Sequence, residues 1–156
     1  MRVLPSGTEH YPPLHGLVSL LNKAEDDHLT ISRIMTQLEP VEQPPTVILP
    51  MSETPERLVL AKGVNSEVIM INWQPGQIIP RHNHENFNCW MKVLTGTLCE
   101  SIWGTSRHST YTRSHFATSF PREIVNEEEE HSLVNNRLVP ASSLHYYMNK
   151  KLKYGV

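Results

Sequence analysis

Residues 76–96 read GQIIPRHNHENFNCWMKVLTG, and this stretch decides which fold and which chemistry to expect. Between its two terminal glycines it contains His82 and His84 at positions i and i+2. On a β-strand this spacing places both imidazoles on one face, where they can bind the same metal ion. Two solvent-facing histidines on a loop are the alternative, which the pair alone does not exclude. The nine histidines in a chain of 156 residues favour the metal site.

Short apolar runs separated by Gly, Asn and Pro surround this stretch and predict a sandwich or barrel of β-strands. Thr95-Gly96 and Asn135-Asn136 predict hairpin turns, because Gly and Asn tolerate the positive φ angles that tight hairpins require. The predicted strands cover residues 46–49, 57–61, 67–73, 78–84, 89–94, 97–102, 115–120, 124–126, 131–135 and 138–147.

The N-terminal third has apolar residues at helical spacing instead, for example Ile31, Ile34 and Met35. Asp27 or Thr30 can cap this helix, and Pro40, the first proline that follows it, ends it. We therefore expect residues 1–45 to form a helical segment packed on a barrel of residues 46–156. A chain of 156 residues has the size of one domain.

The composition excludes several classes of protein. Fourteen Lys and Arg against 16 Asp and Glu give a net charge of −2, so no basic excess attracts nucleic acid or an anionic membrane. The sequence has no apolar run of membrane-spanning length and no signal-peptide pattern at its N-terminus. Two cysteines suit a reducing compartment, and we expect a cytoplasmic protein.

A second polar group lies near the C-terminus, where Ser143, His145 and Tyr147 alternate at i, i+2 and i+4. On a strand these side chains share one face. A polar face inside a barrel is costly unless its groups hydrogen-bond to one another. A satisfied core network without a catalytic role is one interpretation, and a relay beside a metal site is the other.

The spacing of these residues resembles two known motifs. His131 and Asn135 resemble the end of the second cupin motif, and Cys89 occupies the position where the first motif usually has a glutamate ligand. We therefore expect a mainly β protein, a cupin double-stranded β-helix or jelly-roll barrel with N-terminal helices and a metal inside. The residues that match the first motif are Gly76, His82, His84, Cys89 and Gly96.

Further residues resemble the cysteine dioxygenases. The resemblance implies an enzyme of cysteine catabolism and taurine biosynthesis that oxidises L-cysteine with O2 to cysteine sulfinic acid. We expect it to act as a monomer. The matching segments are Trp73, Pro75-Gly76, His82-Asn83-His84, Cys89, Lys92-Val93-Leu94-Thr95-Gly96 and Ser143-Leu144-His145-Tyr146-Tyr147.

The resemblance also implies a metal site and a substrate contact. Fe(II) is expected to be held by His82, His84 and His131, and Arg57 to pair with the substrate carboxylate. Three neutral histidines leave a divalent ion with its full charge and three open positions, which suits non-haem Fe(II). A structural zinc ion would fill four positions instead.

By the same resemblance, Ser143, His145 and Tyr147 form a relay beside the metal, and Cys89 is cross-linked to Tyr147 by a thioether bond. The default interpretation of a lone buried cysteine is an inert core thiol. The presence of Tyr147 as the matching partner favours the cross-link.

The chain departs from the family pattern in several places, including Asn83 and Asn88, where the family commonly has Asp and His. Pro55 stands where the family usually has a tyrosine, so one active-site hydroxyl is absent. After Tyr147 the sequence runs Met148-Asn149-Lys150 instead of Ser-Pro-Pro, and we expect a C-terminus shorter than that of the family. Two alternatives follow: a dioxygenase of another small thiol such as mercaptopropionate, and a catalytically inactive metal-binding cupin. The remaining histidines have no ligand spacing and are expected on the surface: His10, His15, His28, His108 and His115.

Overall fold

The computed structural model describes residues 16, 19–21, 23–24, 27–37, 52–104, 110–124 and 128–149. The predicted strand at 46–49, the boundary between 45 and 46, and His10, His15 and His108 lie outside these residues. Within them, the helix His28–Thr36 is followed by nine strands. These are β1 Glu56–Lys62, β2 Ser66–Trp73, β3 Ile78–Asn83, β4 Phe87–Thr95, β5 Thr97–Trp103, β6 Tyr111–Phe116, β7 Arg122–Ile124, β8 Glu130–Val134 and β9 Ala141–Asn149.

The strands form two antiparallel sheets that pack on each other. The first has the order β1-β2-β9-β4-β7 and the second the order β3-β8-β5-β6. The interior cluster combines Ile71, Trp73 and Met91 of the first sheet with Leu98 and Leu133 of the second. Apolar residues of both sheets meet in this cluster, so the sheets pack face to face. Two packed antiparallel sheets confirm the expected mainly β architecture.

The helix His28–Thr36 covers the other face of the first sheet. Its buried side chains Ile31 and Met35 pack in one cluster with Trp90 and Tyr146. Strands β2, β4 and β9 are therefore buried on both faces, which explains their long runs of buried residues. The second sheet, whose strands β3 and β8 carry His82 and His131, packs on the opposite face of this layer.

The start of this helix agrees with the prediction. Asp27 is the N-cap, and its carboxylate accepts hydrogen bonds from the Thr30 backbone N–H at 3.1 Å and the Thr30 hydroxyl at 2.5 Å. Of the two candidate caps, Asp27 is thus the cap and Thr30 is its partner. Among the residues that the structure describes, the helices are too short or too polar to cross a membrane.

The two predicted hairpins are wrong. Thr95-Gly96 connects β4 to β5 and Asn135-Asn136 connects β8 to β9, and each connection passes from one sheet to the other. Gly96 has a φ of 74°. A Cβ at this position would lie 2.7 Å from the Ala141 Cβ and from the Pro140 carbonyl oxygen, so the close approach of this turn to the start of β9 requires glycine.

Strand β6 also differs from the prediction, which placed it at 115–120. It ends at Phe116, where the chain turns and the Ser119 N–H donates to the Phe116 carbonyl at 2.9 Å. The buried Lys92 ammonium on β4 donates to the Ala117 carbonyl at 2.7 Å. This contact with a distant strand helps to hold the turn, and local sequence does not encode it.

Candidate metal centre

The three candidate metal ligands meet in the interior between the sheets. His82 on β3 lies directly opposite His131 on β8, and His84 immediately follows β3. Their potential ligand nitrogens all lie within 4.8 Å of one another. The ring centroids are 4.5 to 4.9 Å apart. The structure therefore brings together the set that the spacing of the motifs indicated.

Hydrogen bonds determine which nitrogen carries the proton in two of these rings. His82 Nδ1 lies 2.8 Å from the Pro80 carbonyl oxygen, and His131 Nδ1 lies 2.7 Å from Glu100 Oε2. Both oxygens only accept, so each Nδ1 carries a hydrogen, and in the neutral form of each ring Nε2 then presents a lone pair. The two Nε2 atoms face each other at 3.1 Å. When both rings are neutral, their lone pairs face each other, and a cation that binds both nitrogens stabilises this arrangement.

His84 supplies the third imidazole. Its Nδ1 is buried without a hydrogen-bond partner. Burial, reinforced by His131 and His82, lowers the pKa of His84 to about 3. Burial also lowers the pKa of His82. Neutral imidazoles bind divalent metals through a free nitrogen, so this donor set fits a metal ion.

Glu100, which belongs to none of the sequence motifs, is fully buried on β5 beside the three histidines. Burial alone would raise the pKa of Glu100. Hydrogen bonds from His115 and His131 and the charge of Arg122 outweigh this effect and hold the pKa well below its usual range. The interior beside the metal centre therefore contains a carboxylate rather than a carboxylic acid.

The sequence does contain a signal for the buried Glu100. Glu100 lies between the buried Leu98 and Ile102 on one face of a predicted strand, a pattern that signals an acid inside the core.

His115 was expected on the surface, and this prediction is wrong. Its side chain is buried and its Nε2 lies 2.8 Å from Glu100 Oε1. The lack of metal-ligand spacing around His115 in the sequence therefore did not mean that its side chain is exposed.

Cys89 and Tyr147 lie directly opposite each other in the β4–β9 ladder. Their side chains share one face, with Cβ atoms about 5 Å apart. Burial raises the pKa of Cys89 to about 12, although a hydrogen bond with Tyr147 acts in the opposite direction. Burial and the neighbouring Cys89 raise the pKa of Tyr147. Both side chains are therefore protonated at neutral pH.

The polar face of β9 is connected by hydrogen bonds to a tryptophan. Trp73 Nε1 donates to Ser143 Oγ at 2.9 Å, and Ser143 Oγ lies 2.7 Å from His145 Nε2. The His145 ring is nearly parallel to Tyr147, with an interplanar angle of 11° and a centroid distance of 6.1 Å. Burial lowers the pKa of His145 to about 3, so the ring is neutral. From the sequence, Trp73 was expected only to pack in the core and to match the family pattern.

A small cavity of about 30 Å³ connects these groups. Every candidate site residue except Ser143 lines it, and much of the remaining wall is apolar, including Ile79, Met91 and Leu133. Among the described residues that line it, Arg57 is the only permanently charged one. A hydrogen bond with Arg57 partly offsets the rise in the pKa of Tyr147, which places the guanidinium beside this hydroxyl.

Comparison with solved structures confirms the double-stranded β-helix fold. The TT1209 protein of Thermus thermophilus has a TM-score of 0.52 and 15% identity, over 64% of this chain and 87% of that chain. An oxalate oxidase has a TM-score of 0.54 and 16% identity, over 67% and 56%. An uncharacterized conserved protein from Klebsiella pneumoniae with a double-stranded β-helix domain has a TM-score of 0.51 and 17% identity, over 65% and 78%. At such identities the likeness shows the fold alone.

Sequence comparison shows the family. No curated protein matches the chain in sequence. A family model described as cysteine dioxygenase type I matches residues 12–151, which is most of the chain. The chain therefore belongs to the cysteine dioxygenase type I family and is a thiol dioxygenase with the cupin fold.

Proposed function

We propose that the protein is a cysteine dioxygenase, which oxidises L-cysteine with O2 to cysteine sulfinic acid at a mononuclear Fe(II) site. The observation that carries the proposal is the convergence of His82, His84 and His131 in a cavity shared with Arg57 and Tyr147. The reaction adds both oxygen atoms to sulfur, and O2 takes its four electrons from that sulfur, so no other reductant is required. One chain supplies all these residues, so a monomer would suffice. Both cysteines are free thiols, which supports a cytosolic location.

The donor set favours iron over a structural metal. The group formed by the described residues offers three imidazole nitrogens, which would leave open positions for substrate and O2. Bound here, Fe(II) would lower the pKa of the substrate thiol and allow its reaction with O2. A structural zinc site would use four ligands, usually including thiolates.

Arg57 would bind the substrate carboxylate. Its guanidinium is the only permanent charge among the described residues of the lining, so an anionic group is attracted there and meets no like charge. A charge-assisted hydrogen bond of this kind contributes about 1.5–3 kcal/mol. The small volume of the cavity favours a substrate of few atoms.

Tyr147 would hold its hydroxyl proton toward the reacting sulfur and oxygen atoms. Its raised pKa keeps this hydrogen in place at neutral pH, so the hydroxyl can donate a hydrogen bond. The hydrogen-bonded chain from Trp73 through Ser143 fixes the His145 ring, and that ring packs parallel to Tyr147. These three residues would thus orient the phenol.

The facing positions of Cys89 and Tyr147 support a thioether bond between them. The Cys89 sulfur would bond to the ring carbon next to the Tyr147 hydroxyl. The thiol and the ring each lose one hydrogen, and both hydrogens pass with two electrons to O2, giving hydrogen peroxide. The bond would remove rotamer freedom from the phenol and so sharpen its hydrogen bond to the substrate.

After many turnovers with iron, cysteine and air, we expect part of the protein to be lighter by two hydrogen atoms in intact mass spectrometry. Digestion should give one branched peptide that joins the Cys89 and Tyr147 segments. Cys89→Ser should lack the lighter species and keep reduced activity, because the histidines and Arg57 remain. Cys99→Ser, the matched control, should form it normally. Active, iron-loaded protein without the branched peptide would contradict the cross-link.

A dioxygenase of another small thiol, such as mercaptopropionate, is the second candidate. The described residues that line the cavity include no Asp or Glu to pair with the ammonium group of cysteine. Mercaptopropionate has a carboxylate for Arg57 and no amine. This observation is the specific reason to test both thiols.

Oxygen uptake by the iron-loaded protein tests the proposal. We expect the highest kcat/KM with L-cysteine, and one sulfinate formed for each O2 consumed. At least tenfold higher kcat/KM with mercaptopropionate would replace the first candidate with the second. Iron binding without uptake on either thiol would indicate the inactive metal-binding cupin.

A further inference from the structure

We propose that Glu100 is the positioning residue that orients the metal ligand His131. The inference rests on the proposed three-histidine metal site. Glu100 acts through the imidazole ring, because its Oε2 lies 2.7 Å from His131 Nδ1, the nitrogen opposite the ligand atom Nε2. A carboxylate behind a ligand histidine fixes the ring orientation and raises its basicity as a ligand.

The two oxygens of Glu100 have different partners. Among the side-chain contacts of the described residues, Oε2 accepts from His131 alone. Oε1 accepts from His115 Nε2 at 2.8 Å and lies 3.3 Å from Arg122 Nε. One oxygen is thus anchored from two directions, and this anchoring directs the other oxygen at the ligand histidine.

The anchors come from both sheets. Strand β5, which carries Glu100, pairs with β8 on one side and with β6 on the other, so His131 and His115 flank it. Arg122 reaches it from β7 in the opposite sheet and is held by Glu129 as well. Glu100 and the three side chains that contact its two oxygens are all largely buried, so the carboxylate has little freedom to move.

This arrangement selects one tautomer of His131. A carboxylate accepts and does not donate, so Nδ1 keeps the hydrogen and Nε2 keeps the lone pair that faces His82. The other two ligands have weaker support: His82 Nδ1 contacts a neutral carbonyl, and His84 Nδ1 has no partner. Glu100 is therefore the only carboxylate that contacts a ligand histidine within the described part of the chain.

Glu100→Gln tests this role through metal affinity, without reference to turnover. The amide keeps the size of the side chain but loses the charge, and it can present a donor to His131 and so reverse the tautomer. Titration of metal-free protein with Co(II), followed by its visible absorption, should give a Kd roughly 10- to 100-fold higher than that of the wild type. Glu130→Gln is the matched control. It removes a carboxylate next to His131 in sequence, but that side chain pairs with Arg81, so Kd should change less than about threefold.

Nitrogen NMR of the metal-free wild type gives a second measurement that does not depend on folding of the variant. His131 should show a protonated Nδ1 and an unprotonated Nε2, and the opposite tautomer would overturn the inference. Equal Co(II) affinity in the wild type and a folded Glu100→Gln would overturn the role of Glu100 alone. Wild-type protein that binds no Co(II) would overturn the proposed metal site and this inference with it.

Discussion

Replacing His131 with alanine should abolish metal binding and thiol-dependent O2 uptake while the barrel remains folded. His131 lies opposite His82 in the β3–β8 ladder and supplies one of three converging imidazoles. The remaining two cannot complete the site, because strands of a packed barrel do not shift to offer a new ligand. Bound iron by elemental analysis and O2 uptake by electrode measure the two losses.

The fold should tolerate this change. Glu100 loses one hydrogen-bond donor but keeps His115 and Arg122, so we expect unfolding to become easier by about 1–3 kcal/mol. Circular dichroism during thermal unfolding measures this effect. His28→Ala is the matched control, because His28 is half-exposed and contacts Glu123 outside the cavity. It should bind iron as the wild type does. Wild-type iron content and uptake in His131→Ala would show that the metal lies elsewhere.

Replacing Arg57 with alanine should raise KM for L-cysteine strongly and affect cysteamine far less, because cysteamine has no carboxylate. A lost charge-assisted hydrogen bond of about 1.5–3 kcal/mol corresponds to roughly a ten- to hundredfold weaker interaction. For cysteamine we expect a change of less than about threefold, since only the shape of the cavity differs. Steady-state O2 uptake with both thiols gives the two KM values.

One further variant separates charge from geometry at Arg57, and a second, at another arginine, is the matched control. Arg57→Lys keeps the charge but lacks the planar, two-pronged donor, so it should recover only part of the affinity for cysteine. Arg113→Ala removes an exposed arginine from β6 and should leave both KM values unchanged. Equal losses on cysteine and cysteamine in Arg57→Ala would assign Arg57 a structural role, partly through its contact with Tyr147.

Two of the three candidate metal ligands could be predicted from a local signal, whereas His131 needed the resemblance to the second cupin motif. His82 and His84 are two residues apart on or beside one strand, and strand geometry alone places them on one side. The same holds for Ser143, His145 and Tyr147 on β9. Predicting that Tyr147 faces Cys89 needed the resemblance to the cysteine dioxygenases, because the register of β4 against β9 is not a local property.

The sequence by itself determined the features that depend on neighbouring residues along the chain. These are the helix capped by Asp27, most of the strands, and the placement of the histidines on those strands. The tertiary structure alone decided which buried polar groups meet. Glu100 reaches His131 and His115 because β5 lies between β8 and β6. It also decided that Gly96 turns the chain between sheets rather than within a hairpin. The physical reason is that strand order and sheet packing bring together residues far apart in sequence, and the period of two along a strand contains no information about its neighbour.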